Sequence, residues 1–209
     1  FTASLYLTSD ENYYMISASE HTTSEIYYIH KDDKNLEAKL FIKREDGVQY
    51  SINSWAGYFW MNTNKDAEDF KVARCSHKNI NQWEDFIPAK SGTLIGGLTF
   101  LKDWIVRSEM SNALSKIYVR DIKTNEIITK KITETSGGIT FSLDDKYIFY
   151  SKLDKNHRAR TIYRHKIGDF DGKDELIFEE KSEAFTVGIG KSSDEKYYFI
   201  NTSDHNTSE

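Results

Sequence analysis

Three carboxylate pairs are the residues best placed by type to do acid–base chemistry: Asp10–Glu11, Asp144–Asp145 and Asp194–Glu195. Adjacent acids can divide into proton donor and base when their surroundings push their pKa values apart. Each pair sits in the same local setting, after a Ser or Thr and before an aromatic run: LTSDENYY (7–14), FSLDDKYI (141–148) and GKSSDEKYY (190–198). An active site does not recur with the fold, so these acids read as turn formers. His21 and His205 occupy matching positions beside Thr-Ser-Glu, and a loop-ordering hydrogen bond is expected of both. His30, His77, His157 and His165 are scattered without metal-ligand spacing. The string GIGKSS (188–193) has Phe185 where a phosphate-binding loop needs glycine, and a strand rather than a helix should follow it. ETSGG (134–138) has Glu134 where a nucleophile elbow of the G-x-S-x-G type needs its first glycine. Cys75 stands alone and reads as a small buried hydrophobe. No catalytic residue, cofactor-binding residue or metal ligand is therefore expected, and no cofactor.

The formal net charge of −5 comes from interspersed acids and bases, with no basic stripe to follow a phosphate backbone. Nucleic acid is thus excluded as an expected partner. No apolar run approaches the roughly 18 residues that span a bilayer, so no membrane partner is expected either. The opening FTASLYLTSD lacks the form of a signal peptide, and a single cysteine suits a reducing compartment. Both features make a cytoplasmic location the expectation.

The elements that position these residues come from an internal repeat. FTASLYLTSDENYYMISASEHTTSE (1–25) aligns without gaps on FTVGIGKSSDEKYYFINTSDHNTSE (185–209), and GGITFSLDDKYIFYSK (137–152) repeats its middle. First strands are expected near Ala3, Gln49, Leu94, Ile139 and Val187, spaced by 46, 45, 45 and 48 residues. Aromatic second strands follow in NYYMIS, GYFWMN, DWIVRS, KYIFYS and KYYFIN. Third strands are IYYIHK, FKVARC, IYVRDI and IYRHKI; fourth strands are KLFI, WEDFIP, IITKKI and ELIFEE. Four short antiparallel strands every 40 to 50 residues are the signature of a propeller blade. The expected fold is all-β, a partial β-propeller of about four and a half four-stranded blades. Its repeats fall at 1–46, 47–92, 93–137 and 138–182, with a half-blade at 183–209, as one propeller domain or a fragment of one. The half-blade should expose a strand edge open to pairing, self-association included.

Several segments resemble the propeller domain of the prolyl oligopeptidase family, most closely its oligopeptidase B branch. They are TTSEIYYI (22–29), QWEDFIP (82–88), GGLTFLKDWIVRSE (96–109), SKIYVRDIKTNEI (115–127), IYRHKIG (162–168) and LIFEEKSEAFTVGIGKSSDEKYYFI (176–200). In the family, segments like 134–209 precede segments like 1–133, so the order here reads as a permuted, recombined or incompletely recorded version of the family's blade order. The resemblance implies a non-catalytic propeller of a cytoplasmic serine peptidase (hydrolase). It would pack on an α/β-hydrolase domain, in the same or a separate polypeptide, and cap an active site that cleaves short basic peptides after Arg or Lys. The chain alone should then be inactive. The alternative is a stand-alone propeller scaffold that binds other proteins.

Overall fold

The computed structural model describes residues 1–129 and 132–208. The chain is all-β, with antiparallel sheets and no helix among the described residues. It packs as two compact units, Phe1–Ile95 and Gly96–Glu209.

The first unit holds two four-stranded sheets, each a simple meander. β1 (Thr2–Leu7), β2 (Tyr13–Ser19), β3 (Ser24–His30) and β4 (Lys39–Ile42) form one. β5 (Tyr50–Trp55), β6 (Tyr58–Thr63), β7 (Lys71–Ser76) and β8 (Glu84–Ile87) form the other. The β5–β6 turn needs left-handed backbone at both central residues to match the strand twist. Ala56 (φ 52°) and Gly57 (φ 82°) supply it. Pro88 follows directly on β8, where a missing N–H costs no central ladder bond.

Alternation along these strands sends one face of each sheet into a shared core of Met15, Ile26, Ile52, Phe59, Met61, Ala73 and Cys75. Aromatic rings close its rim: Tyr13 on Phe59 at 4.8 Å and Phe41 on Phe59 at 4.7 Å between centroids. The polar edge is tied as well. The Tyr6 hydroxyl donates to the Ile52 carbonyl at 2.9 Å, and the Ser9 amide donates to Asn53 Oδ1 at 2.8 Å.

The second unit departs from the simple blade count. β9 (Leu94–Phe100, whose first two residues belong to the other unit), β10 (Trp104–Ser111), β11 (Leu114–Asp121), β12 (Ile132–Phe141), β13 (Tyr147–Leu153), β14 (Ala159–Lys166) and β15 (Glu175–Glu179) run as one seven-stranded sheet. A separate fourth strand was expected at IITKKI (127–132); among the described residues, the Arg120↔Ile127 bridge, the Ile128 amide donating to the Val119 carbonyl and the start of β12 fall there. Lys130 and Lys131 of that stretch lie outside the described residues. Strand β12 serves two repeats at once. Its first residues pair with β11 (Ile117↔Ile132, Lys116↔Thr133), and its last pair with β13 (Ile139↔Tyr150, Phe141↔Ile148). Ser136, Gly137 and Gly138 lie between Ile132 and Ile139, yet the strand runs on through them. Register shifts beside positive-φ Glu134 and Gly137 take up the mismatch. The repeats 93–137 and 138–182 are thereby joined edge to edge in one sheet.

β16 (Thr186–Lys191) and β17 (Tyr198–Ser203) make a separate two-stranded hairpin in this unit. It is seated by Tyr198, whose ring lies 5.3 Å from that of Phe149.

Candidate functional site

The acid pairs are turn residues in all three copies, and the geometry shows why their spacing matters. In the first copy Thr8 Oγ1 donates to Asp10 Oδ1 at 2.8 Å and accepts from the Tyr13 amide at 3.1 Å. Ser142 makes the same two bonds, to Asp144 at 2.7 Å and from Tyr147 at 2.9 Å. Ser192 repeats them, to Asp194 at 2.7 Å and from Tyr197 at 3.0 Å. The second acid of each pair, Glu11, Asp145 or Glu195, takes the left-handed turn position with φ of 56°, 54° and 60°. The acceptor bonds hold the carboxyls of Asp144 and Asp194 below the usual range, with Asp144 at about 2, led by the Ser142 and Ser192 hydroxyls.

Asp10 does more than close a turn. Its second oxygen accepts from Ser54 Oγ at 2.7 Å, and that same hydroxyl lies 2.9 Å from His77 Nε2. Serine, histidine and aspartate thus meet, from residues 23 and 44 positions apart. The connection differs from a hydrolytic triad, where the acid orients the imidazole and the hydroxyl is free to attack. Here the acid engages the serine directly, and Ser54 is fully buried. Burial pushes the His77 imidazole down, against the opposing Tyr58 carbonyl and Asp10 charge. The rings of Phe59 and Tyr13 pack on it at 4.4 and 5.4 Å. This node pins the β1–β2 turn to the second sheet.

It carries a pH signature. Burial alone would raise the Asp10 pKa, but hydrogen bonds from Ser54, Thr8 and Asn12 outweigh it and lower it overall. A lowered folded-state pKa contributes stability above the unfolded value of about 3.9, and loses it as pH falls through the folded value. Asp10→Ala should therefore cost about 1 kcal/mol at pH 7, a value limited by the solvent that reaches this half-exposed group. The gap to the parent chain should narrow below about pH 4, as urea midpoints measured across pH would show.

A second polar node is built into the seven-stranded sheet. His165 is 1% exposed; its Nδ1 lies 2.7 Å from Asp174 Oδ1, and its Nε2 meets the Thr129 hydroxyl. Tyr150 donates its hydroxyl to the other Asp174 oxygen at 2.5 Å. Burial, then the Asp174 bond and charge, push the Tyr150 phenol above its ordinary range. Arg107 and Glu109 form a buried ion pair on β10. Burial, then the neighbouring Arg120 charge, bring the Arg107 guanidinium down to about 10.

Loops at 20–23 and 204–207 are ordered by the acid preceding each histidine. Glu20 Oε1 accepts from the Thr22 hydroxyl at 2.7 Å, and Asp204 Oδ1 accepts from the Thr207 amide at 2.6 Å. His21 takes part through its backbone carbonyl, which accepts from Gln49 Nε2. His30 accepts through Nδ1 from the Asp32 amide at 3.2 Å, and His157 sits at a turn with φ 58°. Among the described residues, no three His, Cys, Asp or Glu side chains gather as metal ligands would. No helix among the described residues is long and apolar enough to cross a membrane. Cys75 is buried, and burial pushes its thiol up to about 12, so it is a packing residue rather than a nucleophile. ETSGG lies within β12, and GIGKSS runs from β16 into the Ser192 turn.

An open groove of about 640 Å³ lies in the first unit between β4 and the β5–β8 sheet. Phe41, Tyr50, Met61 and Trp83 line it, and the pairs Lys65–Glu45 (2.6 Å) and Lys71–Asp85 (3.1 Å) bound it.

Known proteins agree on what these sheets are. The family described as "Prolyl oligopeptidase, N-terminal beta-propeller domain" matches residues 1–140 and again 115–209. Protease 2 of Moraxella lacunata is 36% identical over 95 residues, which are 44% of this chain and 14% of that protein. Among solved structures, prolyl oligopeptidase B from Galerina marginata superposes with a TM-score of 0.70 at 15% identity, over 99% of this chain and 31% of that one. Oligopeptidase B from Trypanosoma brucei, in a closed form with covalently bound antipain, gives 0.68 at 14% identity, over 99% and 32%. The chain therefore spans about a third of the length of those structures. Meanders of four short antiparallel strands, aromatic second strands and a turn reproduced three times are the β-propeller pattern of that family, and to the prolyl oligopeptidase family, through its N-terminal β-propeller domain, this chain belongs.

Proposed function

We propose that this chain is the non-catalytic propeller of an oligopeptidase B-like serine peptidase. It caps the active site of an α/β-hydrolase domain and restricts entry to short peptides cleaved after Arg or Lys. The observation that carries this reading is the match to the family's propeller over both halves of the chain, together with the likeness to protease 2. The chemistry is compatible. The polar nodes at Ser54 and His165 are buried and saturated with structural partners, as suits a rigid frame that leaves bond cleavage to another domain. A lid of stacked sheets can gate access by opening against a catalytic domain. We place the repeats 1–46, 47–92, 93–137, 138–182 and 183–209 in one such propeller, and the peptidase in the cytoplasm.

The test pairs the parent polypeptide with the isolated chain, using a benzyloxycarbonyl-Arg-Arg reporter. The parent, its sequence read beyond Glu209, is expected to hydrolyse the reporter and to lose activity to a serine-reactive inhibitor. The isolated chain is expected to show none. Turnover by the isolated chain, or a parent that lacks a hydrolase domain, would contradict the proposal.

A further inference from the structure

The groove beside β4 owes its floor to the register of the second sheet. Tyr50, Thr63 and Lys71 stand in one row across β5, β6 and β7. Met61, Ala73 and Asp85 belong to the next row on the same face, across β6, β7 and β8. The first sheet packs on this face through Met15 and Ile26, but its outer strand β4 is four residues long and leaves the end of the face open. Tyr50, Met61 and Ala73 are buried at the bottom of the opening. The rings of Phe41 and Trp83, 6.1 Å apart between centroids, form its apolar wall. After β4 the chain passes along the mouth through Lys43, Arg44 and Glu45. That connection is held in place, because Asn64 accepts from the Gln49 amide at 2.8 Å and donates to the Gly47 carbonyl at 3.0 Å. The site is therefore formed before a ligand arrives.

Charge decides what such a groove can hold. Among the described residues, Lys43, Arg44, Lys65 and Lys71 line it against Glu45, Asp66 and Asp85, an excess of cations in a chain of formal net charge −5. Two of the acids are already engaged, Glu45 by Lys65 at 2.6 Å and Asp85 by Lys71 at 3.1 Å. An organic cation would have to displace a lysine to reach either one. An anion meets no such obstacle. The Lys65–Glu45 pair is about half exposed on both sides, so it contributes little and Lys65 can turn to a ligand. We propose that the groove binds a small aromatic monocarboxylate. Its ring lies against Phe41 and Trp83 over Met61 and Ala73, and its carboxylate sits at the mouth with Lys43 and Lys65. A volume of about 640 Å³ falls within the range of small-molecule sites, where an apolar lining supplies contact area and a few charged groups fix orientation. The proposal is independent of the peptidase reading, since every residue it uses lies in the first unit.

The experiment titrates the full chain with 2-naphthoate and follows nuclear magnetic resonance shifts of the Trp83 indole and the Ala73 methyl group. Both are expected to move with a Kd of about 1 mM or tighter, while the Trp104 indole, in the other unit, stays still. The neutral methyl ester of 2-naphthoate is expected to bind about tenfold more weakly, and so is 2-naphthoate to a chain carrying Lys43→Glu and Lys65→Glu. Both lysines are exposed, so that variant tests the charge without disturbing the core. Raising the salt to about 0.5 M should weaken the acid and leave the ester unchanged. No shift at Trp83 and Ala73 up to about 10 mM acid would overturn the proposal. Equal binding of the ester, tighter binding of trimethyl(2-naphthyl)ammonium, or an unaltered Kd in the charge-reversed chain would overturn it as well.

Discussion

Asp174→Ala is expected to lower the unfolding free energy by about 3 kcal/mol, more than most surface-linked substitutions. The carboxylate bonds two buried partners at once, His165 at 2.7 Å and the Tyr150 hydroxyl at 2.5 Å. Removing it strands two buried polar groups in the sheet, and each carries a desolvation penalty of about 1–3 kcal/mol. The histidine cannot turn to another partner at low cost, because its far nitrogen faces the Thr129 hydroxyl and the ring is 1% exposed. Both ring nitrogens are thus engaged, Nδ1 facing the Asp174 carboxylate and Nε2 the Thr129 hydroxyl. Tyr150→Phe removes one donor from a carboxylate that still reaches solvent, and about 1 kcal/mol is expected. Urea denaturation of the two variants tests the asymmetry. Equal losses would mean that Asp174 does not bridge the two groups.

The second large effect separates burial from sequence. Met15 and Phe199 occupy the same position in the two copied hairpins, opposite Tyr6 and Gly190 respectively. Met15 is buried among Ile26, Ile52 and Phe59, because the β5–β8 sheet packs on that face. Met15→Ala should cost about 3 kcal/mol, the transfer loss plus the cavity left in a core that cannot fully collapse. Phe199→Ala, although it removes a larger side chain, should fall within about 0.5 kcal/mol of the parent. Thermal unfolding of both variants decides the matter. A large loss at Phe199 would place that ring in a core the structure does not contain.

Strand positions were legible wherever the local pattern was self-sufficient. Aromatic second strands such as Tyr58–Thr63 and Trp104–Ser111 fall where their composition puts them. The Ser/Thr-x-Asp turns are fixed by bonds within six residues, so one copy identifies the others. Long-range features left no such mark. Ser54, His77 and Asp10 come together from three strand ends in two different repeats, and none has a neighbour that hints at the others. The His165–Asp174 pair spans a loop whose polar residues look alike in sequence. The union of two repeats through β12 was not legible, because Ser136-Gly137-Gly138 reads as a turn and is instead carried within the strand. In the loops at 20–23 and 204–207 side-chain bonds go to Glu20 and Asp204, the acids beside the two histidines that the repeat singles out.

The copied blocks fold into the same antiparallel hairpin, and the blade pattern follows from that unit. Nuclear Overhauser contacts between facing strands measure it directly. Contacts linking Leu5 with Ile16 and Ile189 with Ile200, in one common register, are the predicted result. Sequential helical contacts across Tyr197–Asn201, or a partner for Ile189 other than Ile200, would contradict it.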